Sequence, residues 1–164
     1  MKDFFLSYAI PDMQKARELA GFLTALNTEV AFDEYDIQAG DNWLRATQNL
    51  LENSKVCVVM LSNNSKRASV QPREVYLAQY LQNRDPNWYR LVPVYLNDHA
   101  GAPPIEGLDT VSAYYERDGG LRTVATKLKA ALARIGDRAD MFRSLRDQIA
   151  HRVRLFALVQ ARAA

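Results

Sequence analysis

The chain is poor in the residues that build metal centres, disulfides and phosphate loops. Its 164 residues include one cysteine, Cys57, and two histidines, His99 and His151. A lone cysteine excludes an internal disulfide. Neither histidine has a cysteine or a second histidine at ligand spacing, so no metal site is expected. Cys57 lies inside an apolar run, where a thiol reads as a buried structural residue, and this usage fits a reducing cytoplasm. The residues after the first strand-like run, Ala9-Ile10-Pro11, cannot act as a glycine-rich phosphate cradle. The longest wholly apolar run, Val56 to Leu61, is far short of the roughly 20 residues of a membrane span. Met1-Lys2-Asp3 leads straight into a strand, so no secretory leader is expected.

Neither sign of charge dominates: 21 Lys and Arg stand against 19 Asp and Glu. The small excess lies in residues 137–164, which hold six Arg and three Asp. The rest of the chain is close to neutral and does not read as a nucleic-acid binder. Apolar residues at 48% and charged residues at 24% suit one globular domain with a full core.

Strand and helix signals alternate along the chain. Phe4 to Tyr8 reads as a buried first strand. Pro11-Asp12 opens a helix with Met13, Ala16, Leu19, Ala20, Leu23 and Leu26 at helical spacing. Glu29 to Phe32 is a second short strand, and Asp33 to Asn42 an acidic loop. Trp43, Leu44, Thr47, Leu50 and Leu51 form one face of the next helix. Lys55 to Leu61 is apolar on both faces, as suits the middle of a parallel sheet. Ser69 reads as a helix cap, with Pro72 tolerable in the first turn and Leu77, Ala78 and Leu81 forming the buried face. Leu91 to Leu96 is a fourth strand, which Pro93 makes irregular or places near an edge. Thr110 to Tyr114 is a weak fifth strand. The last helix of the body runs through Leu121, Val124, Leu128, Leu132 and Ile135 and stops at Gly136.

The alternation predicts an α/β fold: a five-stranded parallel sheet in the order 2-1-3-4-5, with helices on both faces, over residues 1–136. Residues 137–164 carry an apolar stripe from Met141 to Val159 and read as an extra C-terminal helix. That extension could pack back, pair with a second copy, or lead to another domain or partner.

In such a sheet, ligands bind where the strand order reverses, at the carboxyl ends of strands one and three. Ser7-Tyr8-Ala9 and Ser62 to Glu74 leave those strands, and Asp33 leaves strand two beside them. Glu74 is the only acid between Glu52 and Asp85, which singles it out as a candidate reactive group. It could also be an ordinary acid favoured by the helix dipole.

Taken together, Phe5-Leu6-Ser7-Tyr8, Phe32-Asp33, Ile37 to Trp43, Val58 to Ser62, Ser69 and Glu74-Val75 resemble the Toll/interleukin receptor (TIR) domain in its bacterial form. The resemblance covers about residues 3–135. It implies a flavodoxin-like fold and one of two functions. Many bacterial and plant members cleave NAD at the nicotinamide–ribose bond, often in antiphage defence. Many animal members only associate with other TIR domains, as adaptors do, and some pathogen forms act as decoys. Catalytic members carry a glutamate in the helix after strand three, which here is Glu74. NAD is then substrate, and no cofactor is implied. By the same resemblance Tyr8 and Trp43 lie near the nicotinamide or adenine, and Asp33 and Ser69 line or support the cleft. Trp43 could equally be core, and Ser69 a cap. Members commonly self-associate through the loop after strand two, here Asp33 to Asn42, which completes the neighbour's site. One departure stands out: an aromatic usually precedes the glutamate by about four residues, where this chain has Val70.

Overall fold

The computed structural model describes residues 1–31, 43–99, 101 and 103–136, with backbone alone for Trp43 and Leu44. The loop Asp33–Asn42 and the extension 137–164 lie outside the described residues. Five strands form one sheet: β1 (Lys2–Ser7), β2 (Val30–Ala31), β3 (Ser54–Leu61), β4 (Arg90–Tyr95) and β5 (Tyr114–Tyr115). All pairs are parallel and the order is β2-β1-β3-β4-β5, the order expected from the alternation. Four α-helices are described: α1 (Met13–Ala25), α2 (Trp43–Glu52), α3 (Gln71–Arg84) and α4 (Gly120–Leu132).

The two-residue period of a strand decides which helix each side chain meets. Phe4 and Leu6 of β1, with Val56, Val58 and Met60 of β3, pack on α1 and α4 through Leu19, Leu23, Val124 and Leu128. Phe5, Cys57, Val59 and Leu61 face the other way, onto Leu51 of α2 and Val75, Ala78 and Leu81 of α3. Each such large apolar side chain contributes roughly 1.5–3 kcal/mol on burial. β3 is covered on both faces, so it reads as an unbroken apolar run rather than an alternating one.

Pro93 lies opposite Val59 of β3. On its other side β4 is paired to β5 only at Val94 and Tyr95. The proline therefore sits where the outer edge of β4 has no strand partner, which agrees with its expected place near an edge.

Three local expectations need correction. The fifth strand is Tyr114–Tyr115 rather than Thr110–Tyr114. Val111, read as strand, instead packs onto the α2/α3-side core from the preceding loop. Ser69 does not cap α3: the N-cap is Val70, which makes no side-chain cap hydrogen bond. Asp12 stands at the N-cap position of α1, where the helix was expected to open, but the chain reaches it through another turn. A 3-10 turn, Ile10–Asp12, comes first, and the Asp12 side chain makes no cap bond to the helix. At the far end, a methyl group on Gly136 would come within 2.0 Å of the Trp88 ring, so the chain turns there against an aromatic wall.

Candidate functional site: the β1–β3 switch point

The chain leaves β1 for β2 on one side and crosses back to β3 on the other, so the carboxyl ends of β1 and β3 open a crevice. β1 ends at Ser7, which shares the parity of Phe5 and therefore faces α3. There Ser7 Oγ donates a 2.6 Å hydrogen bond to Glu74 Oε2. Glu74 sits in the first turn of α3, where the helix dipole favours a negative charge. It is 8% exposed and Ser7 is 1% exposed. A carboxylate this far from water needs donors, because burying an unpaired charge costs several kcal/mol. Ser7 is one of its partners. The negative charge also reaches β3: the Cys57 thiol is held well above its ordinary pKa, first by burial and then by Glu74, against an opposing hydrogen bond from Tyr89.

Two further groups brace this corner. Gln71, one helical turn before Glu74, is 1% exposed. Its Nε2 donates to the backbone oxygens of Met60 (2.7 Å) and Ser7 (3.3 Å), tying α3 to the ends of both strands. Asp12 is also buried and accepts from Ser62 Oγ and, at 2.7 Å, from Asn64 Nδ2. The 3-10 turn after β3, Asn63–Arg67, carries a capping box formed by Ser62 and Ser65. These bonds join the loop after β1 to the loop after β3.

Between those loops lies a cleft of about 300 Å³, lined in part by Tyr8, Pro11, Arg67, Ser69, Val70 and Gln71. Tyr8 and Ser69 are thus brought together as expected, though Ser69 is a wall residue and not a cap. Glu74 does not itself line this cleft; its partner Ser7 precedes Tyr8, and Gln71 lies one turn from it. Trp43 is the first residue of α2. Asp33 lies outside the described residues. Ser7, Gln71, Asp12 and Arg67 were not singled out from the sequence. The parity of β1 was the available signal for Ser7.

A larger cavity of about 420 Å³ lies at the ends of β4 and β5, lined in part by Tyr95, His99 and Tyr115. Its aromatic faces are already used. Tyr95 stacks on Tyr115 at 5.1 Å, His99 leans on Tyr95 at 4.7 Å, and the Arg117 guanidinium lies 4.7 Å from the Tyr115 ring centre. The smaller cleft is the better site candidate, because it lies at the strand-order reversal beside the buried carboxylate. Among the described residues no three His, Cys, Asp or Glu side chains converge as a metal site would require. No described helix is long and apolar enough to cross a membrane.

The family model described as "TIR domain" matches residues 4–125. The chain belongs to the TIR domain family. The fold agrees with solved members. A TIR domain of the Toll-related receptor TRR-2 from Hydra magnipapillata superposes with a TM-score of 0.63 at 14% identity, covering 79% of this chain and 99% of that one. The TIR domains of the activated Roq1 resistosome, which recognises the pathogen effector XopQ, give 0.55 at 20% identity, covering 87% and 78%. At these identities the likeness is one of fold. No curated protein matches the chain. The family contains both NAD-cleaving enzymes and non-enzymatic adaptors, so the choice for this TIR domain turns on its site.

Proposed function

We propose that this TIR domain is an NAD glycohydrolase acting through Glu74. The observation that carries the reading is the buried carboxylate bonded to Ser7 at 2.6 Å beside the β1–β3 crevice. A merely dipole-favoured surface acid would be solvated and would need no such partner.

The chemistry suits a sparse site. The leaving nicotinamide departs from a positively charged pyridinium as a neutral molecule, so no general acid is required. The C1′–N bond breaks with its electron pair going to nicotinamide, and the ribose passes through an oxocarbenium-like state. A carboxylate fixed near the anomeric carbon stabilises that positive charge or holds the ribose hydroxyls. Water then completes hydrolysis to ADP-ribose, or an internal nucleophile closes a cyclic product. Tyr8 on the cleft wall offers a ring for stacking. Trp43 and Asp33 are proposed as further substrate contacts, and Ser69 as a wall of the cleft. NAD enters as substrate and not as a resident cofactor. Immune signalling or antiphage defence in a bacterial cytoplasm is the setting this activity fits.

We further propose that activity depends on self-association through the loop Asp33–Asn42. Turnover per molecule should then rise with protein concentration. A rate strictly proportional to concentration over a wide range counts against the assembly requirement. Residues 137–164 are proposed as a helical extension serving a partner or a further domain.

One observation favours the alternative, a non-enzymatic module that binds other TIR domains: Val70 stands on the cleft wall where catalytic members usually have an aromatic. Nicotinamide release separates the readings. The enzyme releases it and Glu74→Ala does not, with folding intact by circular dichroism. An interaction module releases none even when concentrated.

A further inference from the structure

Gln71 and Glu74 stand one turn apart on α3 and grip the same residue of β1. Glu74 Oε2 accepts the Ser7 hydroxyl at 2.6 Å, and Gln71 Nε2 donates to the Ser7 carbonyl oxygen at 3.3 Å. The same Nε2 donates to the Met60 oxygen of β3 at 2.7 Å. One amide nitrogen thus spends both of its N–H groups on the ends of the two strands that frame the crevice. With the first turn of α3 these bonds close a ring through Gln71, Ser7 and Glu74. The carboxylate cannot slide past the end of β1 without straining the Gln71 bonds as well.

The turn that carries Glu74 has little other anchoring at its start. Its N-cap, Val70, offers no side-chain acceptor, and Pro72 has no N–H. Gln71 itself is 1% exposed. Its orientation is fixed, because turning the amide would set Oε1 against the Ser7 and Met60 oxygens. Oε1 is left buried with no hydrogen-bond partner among the described residues. An unpaired buried acceptor is unfavourable. Methionine would fill a similar volume without it, so packing alone does not account for an amide here. What the amide adds is direction: it sets where α3 begins relative to β1 and β3.

We propose that Gln71 is a positioning residue, which fixes the first turn of α3 so that the Glu74 carboxylate is held at the β1–β3 crevice. Its effect on turnover rests on the NAD reading, but its effect on Glu74 can be measured without turnover.

The test is carboxylate labelling of the full chain by a water-soluble carbodiimide and glycine ethyl ester, read by mass spectrometry for wild type, Gln71→Met and Gln71→Asn. Glu116 is the internal control, a carboxylate 5% exposed and held by Lys15 and the Asn97 N–H. In Gln71→Met, Glu74 should label about tenfold faster than in wild type while Glu116 keeps its rate, as expected of a local release. Gln71→Asn keeps the amide but is one methylene too short to reach both oxygens, and should act in the same direction if the methionine variant fails to fold. Nicotinamide release should fall about tenfold through kcat, with KM within about twofold, because the carboxylate is misplaced while the cleft is kept. Faster labelling of Glu74 without any NAD cleavage by wild type would keep the positioning role and remove the enzyme. Glu74-dependent cleavage and Glu74 labelling both indifferent to Gln71 would keep the enzyme and overturn the positioning role. Equal acceleration at Glu74 and Glu116 would also overturn it, because Gln71 would then stabilise the fold as a whole.

Discussion

Replacing Ser7 by alanine removes one hydroxyl and almost nothing else. The Ser7 backbone oxygen, which accepts from Gln71, is retained. What is lost is the 2.6 Å bond to Glu74 Oε2, between groups 1% and 8% exposed. A hydrogen bond to a charged acceptor contributes about 1.5–3 kcal/mol, and water has little access to take its place. For a chain of this size that corresponds to a drop in Tm of about 5–10 °C. The assay is thermal and urea unfolding of wild type, Ser7→Ala, Glu74→Ala and the double variant. The two changes should be non-additive by about 1–2 kcal/mol, because they remove the same bond. Ser7→Ala should also depress nicotinamide release, since the carboxylate loses a fixed position. Additive effects, or a Ser7→Ala protein as stable and active as wild type, would refute the claim that Ser7 positions Glu74.

The remaining predictions concern the scaffold. Cys57 and Tyr89 both titrate well above their ordinary values, chiefly because burial disfavours the charged forms. The unfolded chain releases these protons first, so stability is complete below about pH 8.5. It should fall by about 1.4 kcal/mol per pH unit above that, as Cys57 titrates in the unfolded chain, and by as much again above about pH 10, where Tyr89 joins it. Cys57→Ala should flatten the alkaline slope in pH-dependent urea unfolding, and an unchanged slope would remove the thiol from the account. Asp12→Ala strips the buried acceptor from Ser62 and Asn64 and should cost about 2–4 kcal/mol. Hydrogen exchange should speed up at the Asn64 amide, and unaltered protection there would show that Asp12 does not brace the loop. Gly136→Ala drives a methyl into Trp88 and should destabilise by about 1–3 kcal/mol in the same unfolding assay; a neutral result would mean the indole moves aside freely.

The architecture was legible because it depends on local periodicity. Alternation of strands and amphipathic helices gave the parallel sheet, and the doubly apolar run from Val56 to Leu61 marked its centre. Parity along β1 even encoded which way Ser7 points. Features that failed to show are those set by distant partners. Asp12 looked like the opening of a helix, yet its carboxylate is taken by Ser62 and Asn64, 50 and 52 residues further on. Ser69 has the chemistry of a cap, but the helix begins one residue later, behind Val70. Val111 read as strand because it is apolar and β-branched, whereas it is a loop residue anchored in the core. Gln71 gave no signal at all. Its burial follows from the approach of α3 to the ends of β1 and β3, which only the packed fold creates.

In the proposed mechanism the charge on Glu74 drives cleavage of the nicotinamide–ribose bond. The most direct test is nicotinamide release from NAD by concentrated protein, followed chromatographically for wild type and Glu74→Gln. The substitution keeps the shape of the side chain and a hydrogen-bond acceptor for Ser7 while removing the negative charge. Wild type should release nicotinamide clearly, and the variant should lose at least about a hundredfold, the scale of one electrostatic group acting on a charged transition state. Equal release by both proteins would contradict the role of Glu74. Release by neither, at concentrations where the domain self-associates, would contradict the enzyme itself.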